Sequence, residues 1–263
     1  MKQLLLHGSA VEISGRGPPV ILLHGVGLNQ SMWAGQVKSL GSNFQVITYD
    51  LLGHGRSAPS AANAGLLDWV KQLDGVARDL GLEKFALVGF SFGGLIAQAY
   101  AARHSNLIEK LVLMSTVYER SEAQRASVQS RLDVARREGP SAIVPAALSR
   151  WFSPEFSRAH PEVMNQYEVL LRGNDAASFL SAYECFAMAD RELVGALAAF
   201  DRPTLVTTGE LDTGSTPAMA QKLAGMIPEA ECSIIAGGRH MMAVEMPEAV
   251  NSVLRRFLEK GSP

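Results

Sequence analysis

The sequence has little cysteine, no long apolar run and no excess of charge of one sign. Its 263 residues include two cysteines, Cys185 and Cys232, whose separation matches no metal-ligand spacing. Such sparse cysteine use is typical of a reduced, cytoplasmic setting. No apolar run approaches a membrane span, and the three-leucine run within residues 1–7 is too short for a signal-peptide core. We therefore expect a cytoplasmic protein without a membrane partner.

The balance of charge restricts the partners of the chain. The formal net charge is -2, and the basic runs are no longer than Arg136-Arg137 or Arg255-Arg256. Nucleic acid binding usually requires a basic patch, so we expect no nucleic acid partner. The expected partner is a small-molecule substrate, and assembly of identical chains stays open. The length, with 47% apolar residues, supports one domain with a large core.

Short apolar segments alternate with helical segments on either side of a long helical stretch. The predicted strands are residues 4–6, 11–13, 20–23, 44–49, 84–88, 108–115, 203–208 and 232–236. Continuous apolar strands separated by helices indicate a parallel sheet with helices on both faces. Catalytic residues of such sheets lie at the carboxyl ends of the strands. We predict that residues 1–116 and 200–263 form this core and that residues 117–199 form a helical lid.

The segment Gly89-Phe90-Ser91-Phe92-Gly93 lies between an apolar strand and an Ala-rich helix. It fits G-x-S-x-G, the nucleophile elbow, in the strand-turn-helix context that this motif needs. The nucleophile of an elbow has a strained backbone, and a side chain two residues away would collide with the crowded turn. The start of the helix behind it favours a developing negative charge. Ser91 is therefore a candidate nucleophile, and an ordinary serine in a Gly-rich turn is the alternative.

A serine nucleophile needs a basic histidine, and that histidine needs an acid to orient it. The chain order behind an elbow is serine, acid, histidine. Asp212 and His240 supply this order, each in a loop directly after a predicted strand. Asp201 precedes its strand and so belongs to the opposite edge of the sheet, whereas Glu210 stays a rival to Asp212. The predicted catalytic residues are Ser91, Asp212 and His240.

An acyl-transfer site also needs backbone N–H groups that stabilise the oxyanion of a tetrahedral intermediate. One donor should be Phe92, directly after the nucleophile, and the other Val26, in the loop after strand 20–23. His24 and His54 lie in the neighbouring loops. We expect both to hold these loops by hydrogen bonds rather than to transfer protons.

The predicted lid is helical, and its aromatic residues are candidates to line a pocket. We predict helices at residues 122–138, 140–151, 154–171 and 176–187. The candidate pocket residues are His24, Trp151, Phe152, Tyr183 and Phe186, although packing of the lid onto the core is the commoner role of such aromatics. An acidic substrate would need a cationic anchor. The lid arginines that could serve, if they are not simply exposed, are Arg125, Arg131, Arg136, Arg150 and Arg172.

Several blocks of the sequence together resemble the α/β-hydrolase superfamily along nearly the whole chain. These blocks are Leu23-His24-Gly25, residues 49–57, the elbow, residues 209–212 and Gly238-Arg239-His240. Three further segments are similar to 3-oxoadipate enol-lactonases: residues 150–156, His160-Pro161 and residues 244–248. The elbow departs from that subfamily, because Phe92 stands where those enzymes usually carry methionine, and the bulkier side chain would reshape the acyl pocket.

The resemblance implies both a fold and an activity. The implied fold is a mostly parallel, twisted, eight-stranded sheet with helices on both faces and a helical lid inserted before the strand that carries the acid. The implied activity is hydrolysis of a small carboxylic ester or enol-lactone through an acyl-enzyme, as in the catabolism of aromatic compounds. No metal ion and no organic cofactor is implied.

Three other functions stay open on the sequence alone. The same triad in a different pocket would hydrolyse a C–C bond in a meta-cleavage product. An intact hydrolase site could also serve as a ligand receptor without turnover. A dinucleotide-binding oxidoreductase is suggested by Gly25-Val26-Gly27 and by Asp50 at the end of the next strand. That last function is disfavoured because Gln30 occupies the third glycine position and because it leaves the serine, acid and histidine unexplained.

Overall fold

An eight-stranded sheet forms the centre of the computed structural model, which describes residues 2–260. The strands are β1 (Lys2–Leu6), β2 (Ser9–Ser14), β3 (Pro19–Leu23), β4 (Gln45–Tyr49), β5 (Phe85–Phe90), β6 (Ile108–Met114), β7 (Thr204–Gly209) and β8 (Ala230–Ile235). Their order is β1-β2-β4-β3-β5-β6-β7-β8. Strand β2 is antiparallel to β1 and β4, and the other neighbours are parallel. The predicted mostly parallel sheet is confirmed.

Helices cover both faces of the sheet. They are α1 (Ala34–Leu40), α2 (Leu66–Asp79), α3 (Phe92–Ala101), α4 (Glu122–Glu138), α5 (Val144–Trp151), α6 (Pro154–Ala159), α7 (Pro161–Arg172), α8 (Ala176–Met188), α9 (Pro217–Met226), α10 (Met242–Glu245) and α11 (Pro247–Glu259). Side chains of a strand alternate between faces. In β3, Ile21 and Leu23 therefore join the core under α2, α3 and α9, whereas Val20 and Leu22 join the core under α1 and α11. No helix within residues 2–260 combines the length and the apolar character that crossing a membrane requires.

Helices α4–α8, which we call the helical insertion, lie in the chain between β6 and β7. The predicted helices at its two ends agree with α4 and α8. The predicted continuous helix over residues 154–171 is wrong, because the chain forms α6 and α7 with His160 between them at φ -128° and ψ 59°. Pro161 explains the break, since its ring excludes the helical conformation at the preceding residue. The division into a core and a lid at residues 117 and 199 stays a prediction.

A buried ion-pair cluster joins the chain that leaves β6 to the turn that follows α8, and α4 contributes to it. Arg120 donates from its backbone N–H and its Nη1 to the Asp190 carboxylate, at 3.1 and 2.8 Å. Arg125 approaches the same carboxylate, with 3.0 Å between Nη2 and Oδ2. The side chains of Arg120 and Asp190 are only 3% and 1% exposed. Burial lowers the pKa of Arg120, and the charge of Asp190 opposes that shift.

Removing the carboxylate from this cluster should destabilise the fold strongly. We expect Asp190→Ala to lower the free energy of unfolding by about 3–5 kcal/mol, because Arg120 would become a buried charge without its partner. Urea unfolding measures this change. The matched control is Glu138→Ala, which breaks an exposed pair with Arg137 and should cost less than about 1 kcal/mol. Equal losses from the two variants would contradict the importance of the cluster.

Candidate active site

Ser91 lies at the sharp turn between β5 and α3. Its φ of 53° and ψ of -112° are outside the regions that residues with a side chain normally adopt. Backbone hydrogen bonds hold it there. The Ser91 N–H donates to Met114 O at 2.9 Å, and Ser91 O accepts from Thr116 Oγ1, also at 2.9 Å. A strained backbone that is fixed on both sides in this way is typical of a functional position.

The glycines on either side of Ser91 allow the turn to close. A Cβ at Gly89 would lie 2.3 Å from Gly93 O, and a Cβ at Gly93 would lie 2.6 Å from His24 O. Both distances are far below van der Waals contact. The Gly93 N–H also donates to His24 O at 3.1 Å, which joins the start of α3 to the loop after β3. The physical reason for glycine at both ends of the motif therefore holds in this chain.

Asp212 and His240 follow β7 and β8, and their side chains meet. His240 Nδ1 lies 2.7 Å from Asp212 Oδ2. The other carboxylate oxygen of Asp212 accepts from the N–H groups of Gly214 and Ser215, both at 2.9 Å. These bonds fix the carboxylate and leave one oxygen for the imidazole. The rival acid is placed elsewhere, since Glu210 is exposed and accepts from the Gly237 N–H at 2.9 Å.

The structure brings the three predicted catalytic residues to one cavity of about 280 Å³. Ser91, Asp212 and His240 are nearly buried, with 5%, 3% and 8% exposure. The His240 ring packs between Phe90 and Trp151, at centroid distances of 4.9 and 5.7 Å. Among residues 2–260 the Ser91 hydroxyl has no hydrogen-bond partner. Catalytic hydrogen bonds of this kind often form only in the complex with substrate.

The backbone N–H groups of Val26 and Phe92 are available at the same cavity. Phe92 is the first residue of α3, so its N–H has no partner within the helix. Val26 lines the cavity, and a Cβ at the neighbouring Gly25 would lie only 3.2 Å from Ser91 Cβ. Within the described part of the chain neither N–H has an acceptor. Two unsatisfied donors beside a candidate nucleophile suit an oxyanion.

His24 does not line the cavity, and its place among the predicted pocket residues is a correction. The ring is fully buried behind the loop after β3. Its Nδ1 bonds Gly25 O at 2.8 Å, and its Nε2 accepts from the Leu51 N–H at 2.9 Å. His54 is bound in the same manner, between Leu52 O and the Gly27 N–H. The expectation that both histidines hold loops agrees with these contacts.

Three of the four predicted pocket aromatics line the cavity, and Phe152 does not. Trp151, Tyr183 and Phe186 are part of its wall. The chain leaves α5 in an extended conformation at Phe152, and the ring then stacks on Phe156 in α6 and contacts Tyr167 in α7, each at 5.4 Å. Phe152 therefore packs within the insertion, and its assignment to the pocket was wrong.

Other lining residues had not been singled out as pocket residues from the sequence. They are Val117, Arg120, Gln124, Ser127, Thr213, Gly214 and Ser215. Gln124 and Ser127 share a face of α4 with Arg131, at intervals of three and four residues, and this helical spacing could have indicated them. Nothing in the local sequence indicates the others. No three His, Cys, Asp or Glu side chains in the described residues are grouped to hold a metal ion.

Comparison with known proteins identifies the family. Residues 18–247 match the family described as alpha/beta hydrolase fold. The chain belongs to this family. It is similar, with 29% identity over 93% of this chain and 92% of the relative, to (E)-2-((N-methylformamido)methylene)succinate hydrolase of Acinetobacter baylyi. It is also similar to 3-oxoadipate enol-lactonase 2 of the same organism, with 28% identity over 91% and 90% of the two chains.

A solved structure gives the same result. The enol-lactonase from Burkholderia xenovorans superimposes with a TM-score of 0.90 at 28% identity, covering 98% of this chain and 100% of that one. The alpha/beta hydrolase fold expected from the sequence is thereby confirmed. With named hydrolases among its relatives, the protein is a hydrolase.

Alanine at Gly89 should disrupt the elbow of this hydrolase. We expect Gly89→Ala to lower the free energy of unfolding by about 1–3 kcal/mol, because the new methyl group collides with backbone. The matched control is Gly75→Ala in α2, where a Cβ meets nothing within 4 Å. That change should raise stability by about 0.5–1 kcal/mol. Urea unfolding of both variants checks the prediction, and a neutral result at Gly89 would contradict it.

The two buried histidines should make the stability of the hydrolase depend on pH. Burial lowers the pKa of His24 from 6.5 to about 4 and that of His54 to about 3. Below pH 6.5 the unfolded chain therefore binds protons that the folded chain excludes. As the pH is lowered from 6.5 towards these values, the free energy of unfolding should therefore decrease, by about 1.4 kcal/mol per pH unit for each histidine. Urea unfolding at a series of pH values measures the slope.

A variant isolates the contribution of one ring. His54→Gln keeps an acceptor for the Gly27 N–H and removes the titrating group, so the pH slope should become shallower. His160→Gln removes an imidazole that is about half exposed and should leave the slope near that of the wild type. An unchanged slope in His54→Gln would contradict the assignment.

Proposed function

We propose that this hydrolase cleaves a small carboxylic ester or enol-lactone, with Ser91 as nucleophile, His240 as base and Asp212 as the acid that orients His240. The observation that carries the proposal is the convergence of an elbow serine and an aspartate-bound histidine on one cavity. A serine hydroxyl is a weak nucleophile at neutral pH and needs such a base.

The acylation step follows from these roles. The Ser91 hydroxyl attacks the carbonyl carbon while His240 Nε2 takes its proton, so that an O–C bond forms and the carbonyl oxygen becomes an oxyanion. Asp212 stabilises the imidazolium through Nδ1. The N–H groups of Val26 and Phe92 donate to the oxyanion. Collapse of the intermediate breaks the bond to the leaving oxygen, which receives the proton from His240.

The deacylation step repeats this sequence with water. His240 accepts a proton from water as the water oxygen attacks the acyl carbon, and the proton then returns to Ser91 Oγ as the acid is released. Electrostatic support from the two N–H groups acts in both steps, because each passes through an oxyanion. The reaction requires no cofactor.

We further propose that the helical insertion is the lid of this site. It contributes Trp151, Tyr183 and Phe186 to the cavity wall. The end of α5 is bonded to the loop of His240, since the Met241 N–H donates to Trp151 O at 3.0 Å. Glu245 strengthens the connection by accepting from the Ser153 N–H at 3.3 and 3.2 Å. A wall tied to the catalytic loop would enclose the acyl group beside Ser91 and still admit the water that deacylation needs.

One relative supports lactone chemistry, because it is named 3-oxoadipate enol-lactonase 2. The other is named for hydrolysis of a succinate that carries an N-methylformamido group, which is neither an ester nor a lactone. The conversion that we propose for this chain is of the kind that the lactonase's name describes. Its place in the catabolism of aromatic compounds is part of the proposal, as is a cytoplasmic location, which the two free cysteines favour.

Labelling of Ser91 tests the proposal directly. We expect a fluorophosphonate probe to add once to the wild type and not to Ser91→Ala, as read by intact mass. Turnover of 4-nitrophenyl acetate should fall by about 10³-fold or more in Ser91→Ala, because the nucleophile is lost. The control Ser149→Ala, at an exposed position, should label as the wild type does.

Two results would overturn the proposal. One is a folded wild type that neither reacts with the probe nor turns over any ester, which would favour a ligand receptor. The other is turnover of C–C ring-cleavage products without turnover of esters or lactones. A panel of lactones, esters and ring-cleavage products separates these outcomes.

A further inference from the structure

Two arginines without a counter-ion line the cavity that contains Ser91. They are Arg131 of α4 and Arg150 at the end of α5. Neither forms an ion pair with a carboxylate of residues 2–260, although Arg136 of the same helix α4 is paired with Asp133 and Glu184. Arginines of the insertion are therefore mostly neutralised by acids, and these two, at the cavity, are not.

Neutral groups hold the two guanidinium groups in place. Arg131 donates from Nε to the Tyr183 hydroxyl at 3.1 Å and from Nη1 to Ser127 Oγ at 2.8 Å. Arg150 donates from Nη1 to Ala146 O of its own helix at 3.0 Å. In the described residues, Nη2 of both arginines has no acceptor. Hydrogen bonds thus position each side chain, while its Nη2 group remains available to a ligand.

The two arginines are also close enough to influence each other. Partial burial and then the charge of Arg131 lower the pKa of Arg150, whereas Tyr183 and Asp212 raise it. Arg150 therefore interacts electrostatically with both Arg131 and Asp212. Of the other charged lining groups, Arg120 is paired with Asp190, and the Asp212 carboxylate, bound to a neutral His240, offsets at most one of the two arginine charges. An uncompensated positive charge remains at the cavity.

We propose that Arg131 and Arg150 form a carboxylate-binding subsite, so that the substrate carries a free carboxylate in addition to the ester or lactone group that is cleaved. The inference rests on the proposed function of Ser91. A carboxylate would satisfy open N–H donors of planar guanidinium groups and remove the repulsion between two cations. The volume of about 280 Å³ limits the ligand to a small acid. The subsite would select among small esters by charge.

Matched pairs of esters test the subsite. Mono-4-nitrophenyl adipate and 4-nitrophenyl hexanoate differ by a carboxylate on the acyl side, and 4-carboxyphenyl hexanoate and phenyl hexanoate differ by one on the leaving side. In at least one pair, the ratio of kcat/KM for the anionic ester to that for the neutral ester should fall by about 10- to 100-fold in Arg150→Gln. Arg131→Gln should change the ratio in the same direction, and Arg150→Lys should retain part of it.

The control removes the same charge from the same part of the molecule. Arg136→Gln lies on α4 outside the cavity and should leave the ratio at the wild-type value. Added salt should lower the ratio of the wild type, because it screens the attraction of the anionic ester. Equal ratios in the wild type and Arg150→Gln for both pairs would overturn the subsite.

A binding experiment separates this inference from the proposed function. Calorimetry with adipate on Ser91→Ala needs no catalysis, and the additional change Arg150→Gln should weaken binding about 10- to 100-fold. That result would support the subsite even if no ester is turned over and Ser91 is not labelled. Absence of adipate binding, equal binding to both variants, or tighter binding of inorganic phosphate would overturn it.

Discussion

The contact between Gly93 and the backbone of the loop after β3 is the constraint on which the candidate site depends. A Cβ at Gly93 would lie 2.6 Å from the carbonyl oxygens of Leu23 and His24, so α3 approaches this loop as closely as a backbone allows. That approach determines the distance between Ser91 and the N–H of Val26. It also determines the strained φ of Ser91, because β5 and α3 leave a single residue to turn the chain. The position of the candidate nucleophile and the geometry of the candidate oxyanion donors thus result from one packing contact.

Buried polar side chains hold the loops around this contact by hydrogen bonds to the backbone. His24 and His54 are buried, pack edge to face at 5.3 Å, and each accepts a backbone N–H through Nε2. Protonation would convert that acceptor into a donor directed at another donor, so burial and hydrogen bonding both favour the neutral ring. Asp50 completes the arrangement by accepting from the N–H groups of Gln30 and Arg56. The polar side chains of this region therefore accept hydrogen bonds from backbone N–H groups and fix the loops.

Much of the fold could be predicted because its signals are local. Apolar segments with no polar alternation indicated the buried strands, and glycine spacing indicated the elbow. His24 and Phe152 show where local signals end. The direction of His24 depends on Leu51, twenty-seven residues away, whose backbone N–H donates to the ring. The direction of Phe152 depends on where α5 ends and on rings contributed by α6 and α7. The break at His160 had a local signal in Pro161, because proline disfavours the helical conformation at the preceding residue and suits the first turn of a new helix.

The choice of the acid beside His240 also depended on contacts that local sequence signals do not show. Chain order could not separate Glu210 from Asp212, because both follow β7. The structure separates them by their contacts, since the turn directs Glu210 to the Gly237 N–H and holds Asp212 between two backbone donors and the imidazole.

The charge of the cavity was harder still to predict from the sequence. Among the five candidate arginines of the insertion, Arg125 and Arg136 acquire carboxylate partners from other elements as the chain packs. Arg172 pairs with Glu168, one turn before it in α7. Within residues 2–260, Arg131 and Arg150 stay without a carboxylate partner because their neighbours are the Tyr183 and Ser127 hydroxyls and the Ala146 carbonyl. An acid at that place would neutralise the arginines, so the positive charge of the cavity depends on neutral groups being their neighbours.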